Sequence, residues 1–207
     1  MSNLSSIASY PLPTVDQLPT NKVQWVLDPR KSALLIHDMQ RYFLAPFHPS
    51  VADPLVNNCK RLREQCSARN IPVFYTAQPG DMTEQQRGLL NDFWGSGMRS
   101  DPLDSEIIEA LDPGPEDRVF TKWRYSAFVR SNLLRLMQEL GRNQLIICGV
   151  YAHIGVLVTS IEAFSHDIQP FLVADAIGDF SAKHHRMALD YAANRCAMVT
   201  ITEDTFL

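Results

Sequence analysis

The segment Ala33-Leu34-Leu35-Ile36-His37-Asp38-Met39-Gln40 sets an acid at the end of an apolar run. The run has the length of a buried strand. In an open α/β sheet, ligands bind in the crevice beyond the carboxyl ends of the strands. A carboxyl at the rim of an apolar wall is poorly solvated, which favours its neutral form and predicts a raised pKa. Asp38 would then hold a proton near neutral pH and deliver it as a general acid. The segment alone leaves a second reading equally open, in which Asp38 caps the turn that follows.

Other apolar runs are followed by unusual residues too. Asp38, Gln40 and Tyr42 come after the first, and Gln78 and Arg87 after the second. Lys122, Trp123, Arg124 and Tyr125 come after the third, and Gly149-Val150-Tyr151-Ala152-His153-Ile154-Gly155 after the fourth. In a parallel sheet these loops share one side. A proton donor, two or three cations and several aromatics would meet there, a set that suits a small anionic substrate with a planar or cyclic part. For Arg87 or Arg124 alone, a solvated surface charge is the competing reading.

The elements that must position these residues alternate along the chain. Apolar runs at Ala33–His37, Pro72–Ala77, Arg118–Thr121, Gln144–Gly149, Pro170–Ala174 and Ala197–Ile201 read as strands. Helical patterns fall roughly at Pro54–Arg69, Ser105–Leu111, Asn132–Leu140, Ile154–His166 and Ala182–Asn194. Such alternation predicts a parallel sheet covered by helices on both faces. Asp53 before Pro54 suits a helix cap and first-turn proline, Ser131 and Ser181 can cap the helices they precede, and Gly141 can end one. Residues 1–31, with Pro11, Pro13, Pro19 and Pro29, read as an extended N-terminal arm. Gln78–Pro102 is long for a connection, yet carries Leu89, Leu90, Phe93, Trp94 and Met98; it reads as a lid or pocket wall.

At 207 residues the chain suits a single domain spanning 1–207. A net charge of -4 gives no general attraction to nucleic acid or an anionic membrane, so an anion site must be built locally. Met1-Ser2-Asn3-Leu4 lacks the start of a signal peptide, and no apolar stretch approaches the ~20 residues of a membrane span. Cys59, Cys66, Cys148 and Cys196 form no paired motif and read as buried thiols of a cytoplasmic protein. His184-His185 are adjacent on a helix and point apart, so they read as polar helix-start residues rather than a shared metal site.

Four blocks together resemble the isochorismatase branch of the isochorismatase-like hydrolases: A-L-L-I-H-D-M-Q-R-Y-F, Y-T-A-Q-P-G, T-K-W-R-Y-S-A-F and G-V-Y-A-H-I-G. The likeness runs from Tyr10-Pro11-Leu12-Pro13 to the last strand. The Gln78–Leu90 block is most similar to the branch of phenazine assembly. The resemblance implies a three-layer αβα sandwich, a doubly wound, Rossmann-like parallel sheet of six strands, and a homodimer. The wider superfamily uses an Asp, a Lys and a nucleophilic Cys. Asp38 and Lys122 match the first two, but Gly155 stands at the Cys position, which closes the covalent thiol route. Cys148 lies mid-strand and is no substitute. Relatives that bind metal carry ligands just after the second strand, where this chain has Ala77-Gln78-Pro79-Gly80. No metal and no cofactor are therefore expected. Relatives also carry a non-proline cis peptide near Val150-Tyr151.

The implied reaction is hydrolysis of an enol ether on a small dicarboxylate. Asp38 protonates the vinyl carbon, with Lys122 as its catalytic partner. Gln78, Arg87, Trp94, Tyr125, Tyr151, Gly155 and Tyr42 are the expected substrate-binding residues. The resemblance points to 2-amino-2-deoxyisochorismate, with isochorismate, the substrate of the siderophore branch, as the alternative. Siderophore relatives often continue into a carrier domain; this sequence stops at Leu207, soon after its last strand. A catalytically silent interaction protein on the same fold is a different class of reading, opposed by the intact Asp38 and Lys122. A nucleotide-binding oxidoreductase is opposed by His37-Asp38-Met39-Gln40 where a glycine-rich turn would stand.

Overall fold

The computed structural model describes residues 4–206; the first three residues of the chain and Leu207 lie outside it. One parallel sheet organises the fold. Its strands are β1 (Ser32–His37), β2 (Val73–Ala77), β3 (Arg118–Thr121), β4 (Gln144–Val150), β5 (Gln169–Gly178) and β6 (Met198–Thr200), in the spatial order β3-β2-β1-β4-β5-β6. The chain winds outward from β1 to β3, returns to β4 beside β1, and winds out the other way. A crevice opens where the winding reverses, at the carboxyl ends of β1 and β4.

Side chains alternate along a strand, so β1 serves two cores. Ala33 and Leu35 pack with α6 (Leu133–Glu139), α7 (Leu157–Ser165) and α8 (Ala182–Arg195) through Leu133, Met137, Leu157, Ala163, Ala188 and Leu189. Leu34 and Ile36 pack on the other face against α1 (Arg41–Leu44) and α2 (Pro49–Ser67) through Leu44, Val51, Leu55, Cys59 and Leu62. This is the three-layer αβα arrangement expected from the alternation. β1 and β4 are wholly buried because both faces are covered.

Several boundaries differ from the expected ones for local reasons. Helix α2 begins at Pro49, with His48 as its cap accepting from the Ser50 amide, and not at Asp53-Pro54. Pro54 sits on an exposed side of the second turn, where the missing hydrogen bond faces water. The helix expected at Ser105–Leu111 is split. Helix α5 (Pro102–Ser105) ends, Ile107 pairs with Gln40, the Ile108 amide donates to Met39 O, and a 3-10 turn follows at Glu109–Leu111. Asn132, not Ser131, is the cap residue of α6, although Ser131 Oγ receives the Leu133 amide. Gly141 at φ 64 ends α6 as expected, with the Arg142 amide returning to Met137 O. Before α7, residues Ala152–Val156 form a π turn in place of an α-helix. Ser181 does cap α8. His184 is exposed in its first turn, but His185 is buried, its Nε2 donating to Ala174 O. Only His184 is the polar helix-start residue expected of both.

Gln78–Pro102 folds into two short helices, α3 (Glu84–Arg87) and α4 (Leu90–Trp94), set over the crevice. It buries Arg87, Leu90 and Met98 and leaves Leu89 and Phe93 in solvent. The N-terminal arm is strapped to the sheet through Gln144 at the start of β4. Gln144 Oε1 accepts from the Asp28 amide (2.7 Å) and Ser32 Oγ (3.1 Å), and Nε2 donates to Val26 O (2.9 Å). Gln144→Leu strands these groups and should cost ~1–3 kcal/mol. Urea unfolding measures that loss, and limited proteolysis should find the arm cut earlier than in the parent protein.

Candidate active site

Asp38 follows β1 in a left-handed conformation at φ 51, which Asp tolerates better than most residues. Its amide donates to Thr76 O (3.2 Å) on the neighbouring β2. The turn swings the carboxylate over the sheet end, where Thr76 Oγ1 donates to Oδ1 at 2.6 Å and Lys122 Nζ donates to Oδ2 at 2.9 Å. Lys122 arrives from the end of β3, across β2, and is 3% exposed. Burial pushes the Asp38 pKa up, but Lys122 and the Thr76 hydroxyl more than offset it and hold the carboxyl below the ordinary carboxylate range. The raised pKa expected from sequence is therefore corrected: beside Lys122, Asp38 is an ion. The apolar wall was visible in the sequence, whereas the lysine that neutralises it is brought in by the sheet order.

His37, the residue before Asp38, is fully buried. Nδ1 donates to Val150 O at 2.8 Å, and Nε2 faces Thr159 Oγ1 at 3.4 Å. Burial and the neighbouring Lys122 push its pKa down to about 4, so the imidazole is neutral. Its ring lies against Gly155. A β-carbon on residue 155 would fall 2.2 Å from His37 Cε1, and His37 is fully buried. A side chain at position 155 would therefore force this histidine to shift. The Val150–Tyr151 peptide is cis, as expected.

The pocket beyond these residues holds about 570 Å³ of space, open solvent at its mouth included. All nine expected site residues line it: Asp38, Tyr42, Gln78, Arg87, Trp94, Lys122, Tyr125, Tyr151 and Gly155. Arg124 does not; its guanidinium is spent on Gln86 O and Trp123 O. Arg87 is 6% exposed, with Nε on Gly95 O (2.8 Å) and NH1 on Gln78 Oε1 (3.2 Å). No carboxylate partners it among the described residues, and burial lowers its pKa. A buried cation without an anion is costly and favours an anionic ligand.

The isochorismatase domain model matches residues 32–204. The chain belongs to the isochorismatase family. It is 59% identical to the phenazine biosynthesis protein PhzD1 of Pseudomonas aeruginosa over 99% of each chain. It is 52% identical to an isochorismatase of Bacillus subtilis, covering 97% of this chain and 65% of that one. It is 46% identical to enterobactin synthase component B of Escherichia coli, covering 97% and 71%. A cysteine hydrolase from Pseudomonas syringae pv. phaseolicola shares the fold at TM-score 0.80 and 23% identity, over 96% of this chain and 97% of that one.

Thr76 was not legible in advance, and other residues take roles that no local pattern shows. Thr76 looks like any strand threonine, and only the pairing of β1 with β2 brings it to Asp38. Gln40 clamps the Gln78 backbone with both ends of its amide, Oε1 accepting at 2.8 Å and Nε2 donating at 2.9 Å. Phe43, Met98, Ile154 and Phe180 complete the apolar wall. Tyr151, expected to meet substrate, lines the pocket, but its hydroxyl donates to Phe43 O at 2.6 Å and its ring packs against Phe47 and Phe180. Trp94 Nε1 donates to the Tyr125 hydroxyl at 2.8 Å, which ties the α3–α4 wall to the loop after β3. Gly155→Ala should overpack the site against His37. A loss of ~1–3 kcal/mol in denaturant unfolding and a collapse of turnover are expected.

Proposed function

We propose that the protein hydrolyses the vinyl ether of 2-amino-2-deoxyisochorismate, releasing pyruvate and trans-2,3-dihydro-3-hydroxyanthranilate for phenazine assembly. The observation that carries this reading is the buried Asp38–Lys122 pair in one pocket with the unpartnered Arg87. One acid and two cations are what such a reaction on a dicarboxylate needs. Likeness to PhzD1 over 99% of both chains supports the amino substrate.

In this mechanism Arg87 and Lys122 meet the substrate carboxylates. Negative charge beside Lys122 weakens its hold on Asp38, and the Asp38 pKa rises as the pocket closes to water. Asp38 takes up a proton and passes it to the vinyl methylene carbon, leaving an oxocarbenium centre. Water adds there, returns a proton to Asp38, and the hemiketal collapses to pyruvate and the ring alcohol. Neither a thiol nor a metal enters these steps. Cys148 is buried, its thiol pKa pushed well up by that burial.

Asp38→Ala should lower turnover toward the upper end of the ~10²–10⁴-fold range for a lost general acid. Pyruvate release from purified substrate reads it out, and a near-parental rate would overturn the mechanism. Side-by-side kcat/KM on the amino compound and isochorismate tests the substrate. A modest preference for the amino compound is expected, since both carry the same carboxylates. A clear preference for isochorismate would assign the protein to the siderophore branch with the chemistry unchanged.

The low pKa of free Asp38 also fixes a sign. The carboxyl is ionised before binding and protonated in the reactive complex, so binding takes up a proton and tightens as pH falls. Calorimetry of an unreactive dicarboxylate analogue in buffers of different ionisation enthalpy should show uptake of about one proton per chain at neutral pH. Asp38→Asn should show none.

A further inference from the structure

Outside the substrate pocket, one cluster of titratable side chains has no part in the chemistry above. His153 is the second residue of the π turn after β4, and Asp179 follows β5. His184 lies in the first turn of α8. One ligand atom from each falls within 4.8 Å of the other two. Asp179 is fully buried and holds His153 at both ends: Oδ1 accepts from Nδ1 at 2.6 Å and Oδ2 from the His153 amide at 2.7 Å. The Phe180 amide also donates to Oδ1 at 2.7 Å. With its Nδ1 proton committed to the carboxylate, His153 carries its lone pair on Nε2. A carboxylate behind an imidazole in this way is the arrangement that orients histidines toward metals. The His184 ring stacks on His153 with centroids 4.5 Å apart, and its Nδ1 lies 3.3 Å from Ser181 Oγ. No hydrogen bond engages Nε2 of either ring among the described residues.

We propose that His153 and His184, with Asp179 behind them, form a binding site for a late first-row divalent cation of the zinc type. Imidazole nitrogens suit these metals, and water would complete the coordination shell. The buried Asp179 supplies charge of the right sign beside the site. His184 is exposed, which leaves its ring free to turn toward the ion. The site faces a hollow that shares Leu4, Trp94 and Phe180 with the substrate pocket. Phe180 lies 5.7 Å from the His153 ring, 4.2 Å from Tyr151 and 5.9 Å from Trp94. An ion bridging His153 and His184 would brace this aromatic wall without touching the reacting atoms.

The test is calorimetric titration of the full chain with zinc chloride in a weakly coordinating buffer. One ion per chain with a micromolar dissociation constant is expected. His184→Ala and His153→Gln should each weaken it by at least about tenfold. His48→Ala and His166→Ala, at histidines elsewhere on the surface, should titrate like the parent. Circular dichroism establishes that each variant is folded; if His153→Gln is not, His184→Gln at the exposed position carries the test. Absence of zinc uptake by the parent, or a His184→Ala protein that binds as tightly, would overturn the proposal. The readout is heat of binding, so the result stands apart from which ether the protein cleaves.

Discussion

The ion pair between Asp38 and Lys122 is the interaction on which the site depends. Two opposite charges buried together need good geometry and further hydrogen bonds to offset their desolvation. Here the geometry comes from the sheet. Asp38 leaves β1, Lys122 leaves β3, and β2 lies between them, carrying the Thr76 hydroxyl that completes the carboxylate's hydrogen bonds. An order that moved β3 away from β2 and β1 would separate the pair. The left-handed turn at Asp38, held by its amide on Thr76 O, belongs to the same constraint.

The pair also explains the arrangement around it. Lys122 is paired with Asp38, and Arg87, with no carboxylate partner among the described residues, brings a second cation to the pocket. Arg87 is positioned by Gly95 O and by Gln78, and the Gln78 backbone is clamped by Gln40. The chain of contacts leads back to the turn after β1. His37 works on the other side: its neutral ring fills the space over Gly155 and ties β1 to Val150 O. Asp38 is therefore flanked by the Lys122 ammonium and by a neutral imidazole whose ring packs on Gly155.

Much of this was legible in the chain. Apolar runs of strand length alternate with helical patterns, and this periodicity reports burial directly, so the parallel sheet covered on both faces and the side carrying its loops follow from it. The site residues were legible because polar and charged residues directly after apolar strands have few structural reasons to be there. The errors were local. Asp53-Pro54 has the composition of a helix start, but Pro49 behind His48 offers another, one turn earlier. The Ser105–Leu111 pattern yields to backbone pairing of Ile107 and Ile108 with the segment after β1. Hydrogen bonds to a distant segment do not register in a local pattern.

The sequence by itself determined which residues stand at the strand ends, and with them the fold class. Those follow from hydrophobic order along one chain, whereas the expected pocket lining rested on the family resemblance. Only the tertiary structure decided what these residues can do. It made Asp38 an anion, because Lys122 comes from a strand two places away. It turned the Tyr151 hydroxyl away to Phe43 O, buried His185, and set His184 against His153 instead. It also gave the absence of a side chain at Gly155 its physical cause in the His37 ring. Protonation and donor availability depend on neighbours far apart in the chain, and a pattern read along the backbone carries no record of those distances.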